Sequence, residues 1–162
     1  MAYLLDADVL IRAKNLHYGL DFCPAFWDWL IKNNLNGKVF SVEKVEDEVM
    51  AVKDELSDWA DALGSGFFLR PESSTFPSLA MVSNWVTEQD YEPSAVSTFF
   101  QIADYYLVAQ AHALGYTVVT HEVPSGSVRR IKIPDVCIGI GIKLMSPYEM
   151  LRLEQARFVL GQ

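Results

Sequence analysis

Short apolar runs alternate along this chain with longer segments of helical periodicity, and that alternation constrains the fold more than any other feature. The runs lie at residues 2–5, in KVFSV at 38–42, in FFLR at 67–70 and in YTVVT at 116–120. Most read as buried strands, whereas FFLR is open between strand and connector. Between them, CPAFWDWLIKNN places Phe26, Trp27, Leu30 and Ile31 at helical spacing, with Pro24 in the first turn and Gly37 just past the end. EKVEDEVMAV predicts a helix that Ser41 would cap, and DELSDWADAL predicts another, broken by Gly64 and Gly66. Helical patterns also cover 79–89 and 93–101. ADYYLVAQAHALG is rich in helix formers and has Gly115 in the stop position. A last helix is expected through PYEMLRLEQARFVL, opened by Ser146 and Pro147. PESSTFPS at 71–78 and EVPSGSVRRIKIP at 122–134 read as loops, and 137–144 is apolar and ambiguous.

Strands alternating with helices imply a mostly parallel sheet between two helical layers, here a three-layer α/β/α arrangement with four to five short strands. A chain of 162 residues without internal repeats reads as one domain, 1–162. At that size it buries roughly 70% of its unfolded surface and needs no disulfide or structural metal to fold. In a parallel sheet the working site lies beyond the carboxyl ends of the strands.

Charge narrows the function. There are 13 Lys and Arg against 21 Asp and Glu, a net charge of −8. That balance argues against coating nucleic acid or anionic lipid by bulk attraction. It leaves open an enzyme that meets phosphates through a bound cation. The two cysteines, Cys23 and Cys137, form no CxxC pair, and buried reduced thiols in a cytoplasmic protein are the expected state. Asp6 and Asp8 interrupt the first apolar run, so a signal peptide is not expected, and no apolar stretch is long enough to span a membrane.

Four carboxylates stand where such a sheet would gather them. Asp6 ends the first strand, Glu48 lies on the helix after KVFSV, Asp104 opens the strong helix, and Glu122 follows YTVVT. Carboxylates crowded at one edge repel unless a hard divalent cation sits among them. Mg²⁺ or Mn²⁺ held by oxygen ligands generates hydroxide from water and stabilises charge on a phosphoryl oxygen.

LLDADVLI, EKVEDEV, ADYYLVAQAHALGYTVVT and the following HE, in that order, resemble the signature of the PIN (PilT N-terminus) domain family. The resemblance runs from residue 2 to about residue 144. The AKN, FCPAFWDWL and THE stretches are similar to a PIN-like subfamily of uncharacterised bacterial proteins related to toxin ribonucleases. The resemblance implies that Asp6, Glu48, Asp104 and Glu122 are the catalytic acids. It further implies that Asp6, Asp104 and Glu122 hold Mg²⁺ or Mn²⁺, with Thr120 and Asp8 in support. Family members usually carry Asn or Ser where this chain has Asp8, and Asp where it has Glu122. The longer Glu would move the last metal contact by about 1.5 Å.

Each residue also has a purely structural explanation. Asp6 would serve as a helix cap, although an acid ending an apolar strand is costly without a partner. Asp104 suits the positive end of a helix dipole. Glu48 competes with Glu43, Glu46 and Asp47 on a mostly solvated face, and its choice rests on the family match. Asp135, in KIPDV, reads as a turn residue. His121 should point away from its neighbours Thr120 and Glu122 in an extended chain, so it is structural rather than a base. His17 and His112 have no partner at metal spacing. Trp27, Trp29, Trp59 and Trp85 lie on helical patterns and are core or partner-facing before they are stacking platforms. Arg129, Arg130 and Lys132 form the one basic cluster, and Arg12 and Lys14 follow Asp6 closely. These five either engage RNA phosphates or neutralise surplus surface carboxylates.

Taken with the resemblance, these residues imply a metal-dependent endoribonuclease. It would be the toxin of a toxin–antitoxin pair, with an RNA substrate, an antitoxin partner and a homodimeric state built on the aromatic-rich helices. A PIN-like RNA- or protein-binding module without activity is the alternative. A haloacid-dehalogenase-type phosphohydrolase ranks third. DADV resembles its DxD motif, but Leu10 stands where that family needs Thr or Val, and only Asp135 offers a late acid.

Overall fold

A computed structural model of the chain describes residues 1–161. Five strands form one parallel sheet in the order β3-β2-β1-β4-β5. They are β1 (Tyr3–Leu5), β2 (Val39–Val42), β3 (Phe68–Leu69), β4 (Thr117–Val119) and β5 (Leu144–Met145). Helices flank the sheet in a three-layer α/β/α arrangement: α1 (Ala7–Arg12), α2 (Pro24–Leu35), α3 (Glu43–Ala51), α4 (Glu55–Ala62), α5 (Thr75–Glu88), α6 (Pro93–Gln101), α7 (Ala103–Leu114), α8 (Ile133–Ile140) and α9 (Pro147–Leu153). A π-helical turn, Ala13–His17, continues α1.

The apolar runs become strands because both of their faces are covered. Tyr3, Leu4 and Leu5 are fully buried, and β1 pairs with β2 on one side and with β4 on the other. Tyr3 stands opposite Val39 and Thr117, which sets the register of the three central strands. The edge strands β3 and β5 are two residues each, short enough to offer little for edge pairing. FFLR is therefore a strand, and the ambiguous stretch 137–144 divides between the end of α8 and the start of β5. Gly141, with φ of 87°, stops that helix.

Several local expectations change for identifiable reasons. Ser41 does not cap α3. It lies inside β2, and its hydroxyl donates to the Leu5 carbonyl at 2.6 Å, spending its polar group on the sheet. The cap forms one helix later, where Asp54 accepts from the Ser57 N–H at 3.0 Å and Ser57 Oγ accepts from the Asp54 N–H at 2.9 Å. Helix α5 begins at Thr75, so half of the expected 71–78 loop is helical. Pro77 is tolerated there because first-turn N–H groups need no helical partner. Asp135 sits in the first turn of α8 rather than in a loop turn. The last helix ends at Leu153, well short of residue 160, and Gln155 adopts a left-handed φ of 56°. Glu154 is held by Tyr3 Oη at 2.7 Å and Lys38 Nζ at 2.8 Å, which draws the chain back to the amino edge of the sheet.

The tryptophans lie in the core or against it. Phe26 and Trp27 are buried, Trp27 packs edge-on against Trp59 with centroids 4.9 Å apart, and Trp29 and Trp85 are partly buried against the same core. Much of the aromatic surface of the FWDWL and SNWVTEQDY segments is therefore taken up by the core. The exposed large apolar side chains are elsewhere, among them Leu16, Phe22, Leu35 and Phe76. Among the described residues no helix is long and apolar enough to cross a membrane.

Candidate active site

The strand order reverses between β1 and β4, and a crevice opens beyond their carboxyl ends, where open α/β sheets place their ligands. A cleft of about 540 Å³ occupies this position. Asp6, Glu48, Asp104 and Glu122 all line it, although they come from four separate parts of the chain. Asp8, Arg12, His121, Arg130 and Lys132 complete its polar wall.

Asp6 is positioned by the pairing of β1 with β4. Its N–H donates to the Val119 carbonyl at 3.0 Å, so the residue leaving one strand is tied to the end of the next. Asp6 is only 4% exposed, and its carboxylate accepts a hydrogen bond from Thr120 Oγ1 at 3.0 Å. The same hydroxyl oxygen accepts from the Glu122 N–H at 3.1 Å. Thr120 thus connects the first acid to the fourth, and its own N–H is bound to the Met145 carbonyl of β5. Burial, then the charge of Glu122, pushes the Asp6 carboxyl up to about 7, against the opposing Thr120 hydrogen bond.

Asp104 lies in the first turn of α7 and is pushed up to about 8. Burial is the largest cause, followed by repulsion from Asp6, Glu122 and Glu48, with Arg130 opposing. A position at the positive end of a helix would by itself favour the ionised form. Burial and the repulsion of three neighbouring acids, Asp6, Glu122 and Glu48, outweigh it.

Of the four acids of α3, Glu48 alone lines this cleft; Glu43, Glu46 and Asp47 do not. Glu43 instead pairs with Arg70 at 3.1 Å. Glu48 Oε1 accepts from the Ala103 N–H at 3.3 Å, at the start of the helix that carries Asp104. Glu122 Oε2 accepts from the Ile133 N–H at 3.0 Å, at the start of α8, and its Oε1 lies 3.6 Å from Arg130.

The basic residues divide. Arg12 pairs with Asp8 at 2.8 Å one helical turn away, and the pair borders the cleft. Arg130 and Lys132 also border it. Arg129 does not; it faces Glu92 at 3.7 Å over a neighbouring cavity. Lys14 is not brought to the cleft either: its Nζ lies 2.5 Å from Asp54, tying the π-helical turn to the cap of α4. His121 borders the cleft rather than pointing away from it, because the chain bends after Val119 and strand alternation stops applying. Its ring lies 5.6 Å from those of His17 and Tyr148, a packing role. Asp135 is outside the cleft, and its Oδ2 accepts from the Ser125 N–H at 3.4 Å.

The donor chemistry fits a hard divalent cation: the acids are all-oxygen donors, and two are held against ionisation by burial and one another. A closed coordination shell is not preformed. Among the described residues no three His, Cys, Asp or Glu side chains stand close enough together to hold a metal ion. Glu48 and Glu122 each turn an oxygen to a backbone N–H instead. The apolar lining residues carry no sequence signal: Ile11 reaches the cleft from α1, and Ile102 and Val123 from the irregular stretches after α6 and β4.

No curated protein and no solved structure matches the chain. One family model does, over residues 3–158, and its description is Domain of unknown function (DUF4411). With nearly its whole length covered, the chain belongs to that family.

Proposed function

We propose that the protein is a Mg²⁺- or Mn²⁺-dependent endoribonuclease of PIN type. The observation that carries this reading is the convergence of Asp6, Glu48, Asp104 and Glu122 on one cleft at the topological switch point. Structural acids are ordinarily paired with cations; here Asp6 and Asp104 are raised to about 7 and 8 by burial and by other acids. Asp6 and Asp104 would hold the ion, with Glu122 at the rim. When bound, such an ion supplies a hydroxide-generating and charge-neutralising centre for phosphodiester hydrolysis. Thr120 holds the Asp6 carboxylate in place, and Glu48 fixes the start of α7 and hence Asp104. Arg130 and Lys132 flank the cleft and would orient the phosphate backbone.

The PIN assignment itself rests on the sequence motifs. A toxin role with an antitoxin partner, a homodimeric state and a cytoplasmic location belong to the same reading and depend on it. The absence of Asp135 from the cleft removes support from a haloacid-dehalogenase mechanism. The runner-up is a PIN-like binding module without activity, favoured by the engagement of Glu48 and Glu122 with backbone N–H groups.

Cleavage of single-stranded RNA in Mg²⁺ or Mn²⁺, abolished by EDTA and by Asp6→Asn or Asp104→Asn, tests the reading. Cleavage that survives EDTA, or that is unchanged in both variants, refutes it. RNA binding without cleavage in either metal moves the assignment to the binding module.

A further inference from the structure

The acidic cleft does not end at its own rim. A second cavity, of about 300 Å³, lies between α6 and the stretch 129–131, and it shares Ile102 and Arg130 with the cleft. Its inner walls are apolar, from the buried residues Ala95, Phe99 and Ile131. Thr98 lies at its rim, exposed on α6. The far wall is anchored: the Glu92 N–H donates to the Val128 carbonyl at 2.9 Å, holding 129–131 against the helix.

The same wall carries two loosely engaged guanidinium groups. Arg129 reaches Glu92 only at 3.7 Å and Arg130 reaches Glu122 only at 3.6 Å, with side chains 84% and 70% exposed. In a chain of net charge −8, cations of this kind are the local exception, and they sit where the apolar cavity meets the acidic cleft.

We propose that this second cavity receives one unstacked nucleobase of single-stranded RNA, next to the phosphodiester that enters the acidic cleft. This rests on the nuclease reading and names its substrate class. An apolar recess of this size takes the flat face of a base, whereas the sugar–phosphate flanking that base needs cations, which Arg129 and Arg130 supply. A base in a duplex is paired and stacked and cannot enter, so recognition selects single strands. The shared Ile102 and Arg130 make the two cavities one continuous path for a strand.

Fluorescence anisotropy with the full chain tests the proposal. The probes are eight-nucleotide oligoribonucleotides in Ca²⁺, with an abasic nucleotide placed at each position in turn, and the matching duplex. The expected result is one position at which loss of the base weakens binding at least tenfold, with the duplex weaker than the single strand. Thr98→Trp, which roofs the cavity from an exposed helical position, should abolish that position-specific penalty. Ser94→Trp serves as a second roofing variant from the preceding turn of α6, and a retained melting temperature certifies both folds. Equal binding of all abasic probes, persistence of the penalty in both variants, or absence of RNA binding overturns the proposal. The nuclease reading fails separately. Binding with a base-dependent position but no cleavage in Mg²⁺ or Mn²⁺ refutes the nuclease and leaves the base site. Metal-dependent cleavage that ignores the abasic position refutes the base site and leaves the nuclease.

Discussion

Replacing Asp104 with Asn keeps the shape of the side chain while removing a charge that the folded protein resists. The Asp104 carboxyl is raised from its ordinary 3.8 to about 8, by burial first and then by Asp6, Glu122 and Glu48. Folding therefore takes up a proton at this site, and stability falls as pH rises from about 4 to about 8. At about 1.4 kcal/mol per pH unit the full displacement corresponds to about 6 kcal/mol at pH 8. That is a ceiling, because Asp6 competes for the same proton and Asn forfeits up to about 1 kcal/mol of helix-dipole stabilisation. The expected outcome is a gain of about 1–3 kcal/mol for Asp104→Asn in EDTA at pH 8, shrinking as pH falls toward 4. For a domain of this length it appears as a rise in melting temperature of roughly 3–10 °C. Denaturant titrations at pH 4.5, 6 and 8, with and without Mn²⁺, read it out. Mn²⁺ should stabilise the native protein at pH 8 and have little effect on the variant. A variant less stable than the native chain at pH 8, or a gain independent of pH, would refute the idea that unneutralised carboxylates crowd this cleft.

Thr120→Val should destabilise by about 1–3 kcal/mol, since it removes the hydroxyl that donates to Asp6 and accepts from the Glu122 N–H, while Thr120→Ser should retain most of the stability; urea unfolding distinguishes them. Gly139→Ala drives a methyl into the indole ring of Trp85, where α8 meets α5, and should cost about 1–3 kcal/mol with a change in tryptophan fluorescence; an unperturbed variant would contradict that packing. Asp54→Ala removes both the cap of α4 and the Lys14 ion pair, and should lower stability by about 1–2 kcal/mol in thermal unfolding.

Local rules were sufficient wherever a signal is contained in a few adjacent residues. The apolar runs ending in Asp6 and Thr120, the helix stops at Gly37 and Gly115, and the proline-led starts of α2 and α6 all lie where the sequence places them. The parallel three-layer architecture follows from the alternation of those elements. Local rules failed where a polar group had two competing partners. Ser41 has the chemistry of a cap, yet the Leu5 carbonyl, 36 positions away along the chain, takes its hydroxyl. Lys14 follows Asp6 closely in sequence, but the turn of the π-helical segment carries it to Asp54.

The candidate site divides in the same way. From sequence alone, Asp6 and Asp104 are recognisable as acids at a strand end and a helix start, because those positions are defined by their immediate neighbours. Sequence periodicity does not choose Glu48 over Glu43 or Glu46, since all three lie in the same acid-rich run of one amphipathic helix. The choice is made by the packing of α3 beside α7, which brings Glu48 to the Ala103 N–H. Only the tertiary structure decides that the charge of one acid is felt by the others, because repulsion depends on distance through space and not on separation along the chain. Only it places the apolar recess of α6 beside the arginines of the 129–131 stretch, two segments joined by no shared motif and brought together by the folding of the chain around its sheet.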